Sequence, residues 1–482
     1  MDVEQLKQDA AAGKVGVEQL IAIIVAQQEQ IRKLQEQNES KNPTQRLDES
    51  YSERAEEKRQ KAARRKKSGK KGPPRRGRLS TADKVKLAER TEQVYPADID
   101  PQDCKFSHTR VGWRLEDGRA VLVAYEIFRK GKAYGKPLGL LGRGEYGIEI
   151  LVALAYQVYC LGLSLDKACA VLSFFQQLTL SKSQADALLN QLARCWEREF
   201  DTLCQLLARA AIVHCDETSW SINSVWAFVN EKLTVLVYGV HKDGDTLEQI
   251  LDKDSFAGTL ISDDAAVYRG FTKSQKCWAH LLRKAIKLTL QDPDNATYRT
   301  FADRLLEIYR KAKRISVDGR FRAAGRAAKV GELDDEILEL CVERWVDEST
   351  DGDSVENDYR RLCNEIMRLM LDQELFIFVT EEGVEGNNNA SERQLRGDAT
   401  ARKTGRTSKT PAGAKRQSIV SSVLQSIGKQ IGELTLQGVI SEVQRWCDEG
   451  KSCFQRQAEA SGLSPPPSEA SLLDRLILNA DS

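Results

Sequence analysis

Two short apolar runs, each ending in an aspartate, are the sequence feature that most constrains the fold. Residues 211–216 end at Asp216, and residues 258–263 end at Asp263. Apolar runs this short are typical of buried strands, because helices need longer segments. We therefore expect each aspartate at the end of a strand, where its side chain can leave the core.

The segment between the two aspartates predicts most of a sheet. Apolar stretches over residues 225–229 and 233–240 flank a short turn and predict a hairpin. A short helix is expected over residues 245–251, ahead of the strand that ends at Asp263. Three antiparallel strands, a helix and a fourth strand match the first half of an RNase H-like layout.

A third acidic residue, Glu392, follows three asparagines, Asn387–Asn389, at the predicted start of a helix. Asn side chains accept backbone N–H bonds at helix starts, so we expect this run to form the turn and the cap. Two aspartates and a glutamate can converge on two divalent ions, which activate a water or a 3′-hydroxyl at a phosphodiester. Mg²⁺ (or Mn²⁺) is the expected metal, with two ions per site, because it prefers oxygen ligands.

Neighbouring acids and a set of His and Cys side chains are the alternatives for this site. Asp264 follows Asp263 and Glu217 follows Asp216, but adjacent strand residues face opposite ways, so only one of each pair should face the metals. A zinc site can be drawn from His214, Cys215, Cys277 and His280. Zinc is not expected there, because the adjacent pair would point apart. We expect His280 to position a water or a phosphate, with a structural hydrogen bond as the alternative.

Positive charge is concentrated in two regions, although the net charge is only +1. Between residues 52 and 78 no acid follows Glu57, so this segment cannot bury a core. It should bind DNA phosphates without sequence preference, or else serve as a solvated linker. The predicted DNA contacts in it are Arg64, Arg65, Lys66, Lys67, Lys70, Lys71, Arg75 and Arg76. The predicted contacts near the acidic residues are Arg283, Lys284, Arg396, Arg402, Lys403 and Arg406.

The N-terminal half contains three further segments. Apolar residues spaced by three and four from Val17 to Leu34 predict a short coiled coil, or an amphipathic helix packed on its own protein. Residues 81–135 predict a small β-containing module, in which Cys104 and His108 are too few for a structural zinc site. The next segment, up to residue 208, is helical and fits either a helix-turn-helix or an ordinary packed domain.

Four motifs in combination resemble the transposases of the insertion sequence sixty-six family, a DDE group. The motifs are His214-Cys215-Asp216-Glu217-Thr218, Asp263 followed by Tyr268, Cys277-Trp278-Ala279-His280-Leu281-Leu282-Arg283, and Asn388-Asn389-Ala390-Ser391-Glu392-Arg393 with Arg396. By this resemblance the catalytic metal ligands are Asp216, Asp263 and Glu392. The residues that support them are His280, Asn388 and Arg393.

The resemblance implies an enzyme that binds the ends of its own mobile element, cleaves the DNA strand and joins it to target DNA. The implied partners are DNA, a second or further copy of the chain, and accessory proteins of the same element. No apolar run approaches a membrane span, and scattered cysteines without a signal peptide indicate a reducing cytosol. The resemblance implies that this is a prokaryotic cytosol, with the protein at the nucleoid when DNA is bound. The alternatives are an inactive DNA-binding descendant of a transposase and a metal-dependent DNA nuclease.

The expected fold class is multidomain α/β, with an RNase H-like mixed-sheet catalytic core and an all-α insertion, preceded by a helical domain and a coiled coil. An insertion is expected because the segment between Asp263 and Glu392 is too long for a simple return. The expected boundaries are 1–45 (coiled coil), 46–80 (basic linker), 81–135 (β module), 136–208 (helical domain), 209–290 (first part of the core), 291–380 (helical insertion), 381–450 (second part of the core, with Glu392) and 451–482 (C-terminal tail).

Overall fold

The computed structural model describes residues 79–345, 354–466 and 471–480, with side chains described up to residue 476. These residues form nine strands and fifteen α-helices, in the mixed α/β class predicted from the sequence. The predicted coiled coil over residues 1–45 and the eight cationic residues between Arg64 and Arg76 lie outside the described residues.

A small sheet follows the first helix, α1 (Thr81–Lys86). Its strands are β1 (Arg90–Val94), β2 (Lys105–Glu116), β3 (Arg119–Lys130) and β4 (Ala133–Tyr134), in the order β1–β3–β2 with β4 also on β3. β2 and β3 pair as an antiparallel hairpin, as expected of a β-containing module. It turns at Asp117 and Gly118, whose φ angles of 49° and 78° are the left-handed values that tight hairpin turns require.

Three helices follow this sheet. They are α2 (Ile148–Ala155), which continues as a π-helical turn over Tyr156–Cys160, α3 (Leu165–Gln176) and α4 (Lys182–Leu207). Ser181 caps α4, because Ser181 and Gln184 bond each other's backbone N–H groups. The helices share one apolar core with the central sheet. Sequence-specific DNA binding by this segment stays a prediction.

The central sheet has five strands in the order β7–β6–β5–β8–β9. The strands are β5 (Ile212–Ser219), β6 (Ser224–Val229), β7 (Thr234–Val240), β8 (Thr259–Ser262) and β9 (Ser274–Lys276). β5, β6 and β7 are antiparallel, whereas β8 and β9 run parallel to β5. The predicted hairpin and fourth strand are confirmed, and α5 (Gly244–Glu248) precedes β8 as expected.

The fifth strand, β9, is absent from the prediction because its sequence is polar. Its three residues are nevertheless buried. The Gln275 amide donates to the Leu375 carbonyl at 3.0 Å and accepts from the Phe378 N–H at 3.0 Å, so partners a hundred residues away satisfy its polar groups.

Helices surround the sheet and form a separate insertion between β9 and the segment that contains Glu392. The insertion consists of α6 (Trp278–Gln291), α7 (Ala296–Val317), α8 (Ala323–Cys341), α9 (Val355–Leu371) and α10 (Ile377–Thr380), which have their own apolar core. The predicted helical character of this region is confirmed. The chain ends in α11 (Asn389–Lys403), α12 (Pro411–Ile431), α13 (Leu436–Glu449), α14 (Cys453–Ala460) and α15 (Leu472–Ala480).

Helix α12 covers the outer edge of β7 with a row of serines. Ser418, Ser422 and Ser426 lie four residues apart and accept the N–H groups of Tyr238, Leu236 and Thr234 at 2.8–3.0 Å. Four helical residues rise about 6 Å and two strand residues about 6.6 Å, so the two spacings nearly match. The serines therefore replace a neighbouring strand at an edge that would otherwise expose unpaired backbone groups.

Replacing Ser422 with Ala is expected to destabilise the fold by about 1–3 kcal/mol, because the Leu236 N–H becomes a buried donor without a partner. Ser422 also donates to the Leu236 carbonyl at 3.2 Å. Ser421→Ala is the matched control, since Ser421 is 1% exposed and its hydroxyl has no partner among the described residues. Calorimetric unfolding of both variants is the measurement, and equal losses would contradict the proposed role of the serine row.

Candidate active site

The two aspartates lie just beyond the paired part of two neighbouring parallel strands, with Asp216 in β5 and Asp263 directly after β8. β5 pairs with β8 as far as His214 and Ile261, and continuing this register by two residues sets Asp216 beside Asp263. The prediction that Asp216 ends its strand is wrong by three residues, because β5 continues to Ser219 in its pairing with β6. Asp216 lies two residues past the end of the parallel pairing, in the part of β5 that pairs with β6.

The alternative acids are engaged elsewhere. Glu217 forms an ion pair with Lys242 at 2.6 Å and accepts the Tyr268 hydroxyl, while burial raises the pKa of Glu217. Asp264 forms an ion pair with Arg368 of the helical insertion. Alternation along β5 directs Glu217 away from Asp216, whereas Asp263 and Asp264 follow the end of β8.

Glu392 lies in the first turn of α11, next to a cation and an imidazole. Its carboxylate accepts from Arg283 Nη2 at 3.0 Å, and its Oε1 is 3.7 Å from His280 Nδ1. Burial raises the pKa of Asp216 to about 7, and the negative charges of Glu217, Asp263 and Glu392 add to this shift. Asp263 and Glu392 therefore lie close enough to Asp216 to act on its carboxylate electrostatically.

Asn388 connects the elements on which these side chains lie. It is fully buried, and its Nδ2 donates to the Cys215 carbonyl at 2.7 Å, directly before Asp216. Its Oδ1 must then accept, so His214 Nδ1 donates to it at 3.3 Å. Its backbone N–H donates to Cys277 Sγ at 3.2 Å. Asn388 is the N-cap residue of α11, as predicted for this run, and because these contacts use its side chain, Asn387 Oδ1 instead accepts the Asn389 N–H at 3.2 Å.

The four residues of the alternative zinc set are not brought together. His214 contacts Asn388, and Cys215 lies on the opposite face of β5, where its thiol donates to the Tyr268 hydroxyl at 3.7 Å. Among the described residues, one group of three metal-ligating side chains has ligand atoms within 4.8 Å of one another. The group consists of Cys277, His280 and Glu392. The three carboxylates of Asp216, Asp263 and Glu392 are therefore less tightly gathered than this group.

The predicted DNA contacts differ in how exposed their charges are. Arg283 is paired with Glu392, and Lys284 with Glu365 at 2.6 Å. Arg402 donates to the Ser219 carbonyl at 2.9 Å, and Arg406 approaches the Gly162 carbonyl at 3.5 Å. Three further cations of α11 are exposed and make no ion pair within the described ranges. They are Arg393, Arg396 and Lys403.

Comparison with known protein families identifies the family of the chain. Residues 143–416, more than half of the 482 residues, match the family described as Transposase IS66 family. The chain belongs to this family. All three acids of the candidate site lie inside the matched region, and the resemblance inferred from the four motifs is confirmed. None of the curated proteins compared with the chain matches it. In the part of this IS66 transposase that the structure describes, no helix is long and apolar enough to cross a membrane.

Sequence reasoning missed a second group of charges beside Asp263 in this IS66 transposase. Lys276 is 1% exposed, and burial lowers its pKa despite Glu374 at 3.7 Å. Its Nζ also lies 3.3 Å from the Ser262 hydroxyl, next to Asp263. Arg368 joins Asp264 to the insertion in the same region. A lysine in a polar tripeptide gives no local signal of burial, so only the tertiary structure identifies this group.

Proposed function

We propose that this transposase binds the ends of its insertion sequence and catalyses metal-dependent strand cleavage and strand transfer at Asp216, Asp263 and Glu392. The observation that carries the proposal is the register of two adjacent parallel strands, which sets Asp216 of β5 beside Asp263 directly after β8, with Glu392 close enough to add to the raised pKa of Asp216. Perturbed carboxylates of this kind are typical of catalytic sites.

The central sheet supports an RNase H-like core as the scaffold of this chemistry. Three antiparallel strands followed by two parallel strands, in the order β7–β6–β5–β8–β9, give a mixed sheet with Asp216 on its central strand. In sequence, the helical insertion follows β9, and α11 follows the insertion. The predicted core, which the insertion divides into two parts, has this same order.

The available oxygens suit Mg²⁺ or Mn²⁺. In the described ranges Asp216 and Asp263 form no ion pair, and each Oδ1 accepts one nearby backbone N–H. Asp216, Asp263 and Glu392 would hold two such ions between them, so no single ion needs all three carboxylates. Such ions would supply an activated water or 3′-hydroxyl and stabilise the leaving oxygen. Asn388 would hold these carboxylates in place, because its side chain bonds the Cys215 carbonyl next to Asp216 and its backbone begins α11, which contains Glu392.

The DNA path is proposed to follow the exposed face of α11. Arg393, Arg396 and Lys403 present unpaired cations there, and phosphate contacts of this kind position a duplex without reading its sequence. The basic segment between residues 52 and 78 would add affinity through counterion release. We further propose that copies of the chain pair on DNA, with accessory proteins of the same element, in the prokaryotic cytosol.

The test is strand cleavage and joining on labelled DNA that carries the ends flanking the gene, with Mg²⁺ or Mn²⁺. Wild type should nick and join in a metal-dependent manner. Asp263→Asn and Glu392→Gln should lose on the order of 10³-fold in rate, since each removes part of several kcal/mol of charge stabilisation. Both should still bind DNA in a gel-shift measurement.

Matched controls separate catalysis from folding. Asp264→Asn makes the same change one residue away, at an acid paired with Arg368, and Glu382→Gln changes an exposed glutamate. Neither should reproduce the catalytic loss. DNA binding without cleavage under either metal, even with the accessory proteins added, would favour an inactive DNA-binding descendant. Cleavage without any preference for the element ends would favour a nuclease.

A further inference from the structure

Beside the proposed Mg²⁺ site lies a cluster of side chains whose chemistry Mg²⁺ does not favour. Cys277, His280 and Glu392 each offer one ligand atom within 4.8 Å of the others. Thiolate and imidazole are ligands that select Zn²⁺ over Mg²⁺, and three protein ligands with an open fourth position form a common zinc arrangement.

We propose that Cys277, His280 and Glu392 form a zinc-selective site that shares Glu392 with the Mg²⁺ site, so that Zn²⁺ switches strand cleavage off. The proposal that Zn²⁺ binds depends only on the cluster of these three side chains. Inhibition rests on the proposed function, because it requires Glu392 to be a ligand of the catalytic ions. A glutamate held by Zn²⁺ can no longer complete the Mg²⁺ site.

The backbone places the ligands on one side of a helix. Cys277 is the residue immediately before α6, and His280 lies one turn later on the same face. Ligands around a tetrahedral Zn²⁺ are about 3.5 Å apart. His280 Nδ1 and Glu392 Oε1 are already 3.7 Å apart, so only small movements are required. His280 Nδ1 is also buried, with no hydrogen-bond partner in the described part of the chain.

Burial raises the pKa of the Cys277 thiol, but nearby backbone N–H groups partly offset this effect. Its Sγ accepts the Asn388 N–H at 3.2 Å, and the backbone N–H groups of Ala279 and His280 act in the same direction. N–H groups at a helix start favour a thiolate over a thiol. On binding, the Cys277 thiol would release its proton to solvent as the sulfur–zinc bond forms, and no oxidant or reductant is needed.

Arg283 occupies the space beside this cluster as a competing cation. Its guanidinium lies 3.0 Å from Glu392 Oε2 and 3.3 Å from His280 Nε2. Because two cations repel at this distance, Arg283 must turn away when Zn²⁺ binds. Removing its charge should therefore strengthen zinc binding, whereas removing the sulfur should weaken it. These opposite effects distinguish a metal site from a fortuitous cluster.

The binding test uses the full chain, treated with chelator and titrated with Co²⁺ as a spectroscopic substitute for Zn²⁺. Exposed Cys195 and Cys447 are first changed to Ser, so that they cannot bind the ion. We expect a thiolate-to-cobalt charge-transfer band that Zn²⁺ abolishes. Cys277→Ser should remove the band and weaken affinity by more than the roughly 10–100-fold typical of losing a group that merely orients a ligand.

Two charge variants complete the binding test. Arg283→Gln should tighten Co²⁺ binding on the order of 10-fold, because a positive charge a few ångströms from the ion is lost. Lys287→Gln is its control, since Lys287 is an exposed residue of the same helix and pairs with Asp358 instead. No band in the parent protein, or a band that survives Cys277→Ser, would overturn the proposal.

Inhibition is measured separately, by adding Zn²⁺ to cleavage reactions that contain excess Mg²⁺. Each variant is compared with its own zinc-free rate. The parent should lose most of its activity at Zn²⁺ concentrations that leave Cys277→Ser active. Equal inhibition of both would overturn the regulatory claim. Absence of cleavage without zinc would count against the proposed function, while the cobalt spectrum would still decide the zinc site.

Discussion

Replacing Asp216 with Asn is expected to make the metal-free protein more stable while lowering strand cleavage on the order of 10³-fold. Burial raises the pKa of Asp216 to about 7, and nearby negative charges add to the shift. Above this pKa the folded protein must therefore keep a charge in an unfavourable place. Asn removes that charge without changing the size of the side chain.

The pH dependence of this gain follows from the direction of the shift. Because the folded pKa lies above the usual value of 3.8, the folded protein binds a proton that the unfolded chain has released. Its stability therefore falls as pH rises from about 4 to about 7. The advantage of Asp216→Asn should be absent near pH 4 and complete above pH 7. Three pKa units set a ceiling of about 4 kcal/mol, and we expect about half because the carboxylate partly reaches solvent.

Adding Mg²⁺ should reverse the order of stability. At about 100 times its dissociation constant, an ion that binds only the folded state adds about 2.7 kcal/mol, which Asp216→Asn should largely lose. Calorimetry in chelator and then in Mg²⁺ checks this result. Asp264→Asn is the control, which should be destabilised in chelator through the loss of its Arg368 pair and should still respond to Mg²⁺. An Asp216→Asn protein that is less stable than wild type in chelator would refute the account.

Local patterns predict the strands of the core but not how their edges are completed. Apolar runs mark β5, β6, β7 and β8, because burying both faces requires apolar side chains at successive positions. The sequences of β9 and of the serine row of α12 show no such apolar pattern. Their polar groups are satisfied by residues about a hundred or more positions away, such as Leu375 for Gln275 and Leu236 for Ser422.

Local sequence patterns likewise predict only part of the candidate site. Asp216, Asp263 and Glu392 could be predicted, because each follows a recognisable local context and the family motifs fix their order. Arg283 pairs with Glu392 although the two residues are 109 positions apart, and no helical periodicity in the sequence predicts this pairing. The predicted role of Arg283 in binding DNA is compatible with its exposed side chain, provided that Glu392 binds a metal ion instead of Arg283.

Asn388→Ala is the second change for which we expect a large effect, on both stability and activity. The buried amide bonds the Cys215 carbonyl and His214 and lies four residues before Glu392. Removing it leaves two buried polar groups without these partners, at about 1–3 kcal/mol each. Because the amide fixes β5 relative to α11, the ligands on both elements also lose their relative position. Groups that orient metal ligands typically contribute about 10–100-fold to activity or metal affinity.

The control is Asn389→Ala, which changes the next asparagine, an exposed residue at the start of α11. Both variants should be assayed at a temperature where both are folded, with the Mg²⁺ concentration varied. A positioning role predicts that Asn388→Ala needs more Mg²⁺ for half-maximal cleavage, whereas a merely structural role lowers the unfolding temperature and leaves that concentration unchanged. An unchanged Mg²⁺ requirement would therefore confine Asn388 to stabilising the fold and separate it from the chemistry of Asp216 and Glu392.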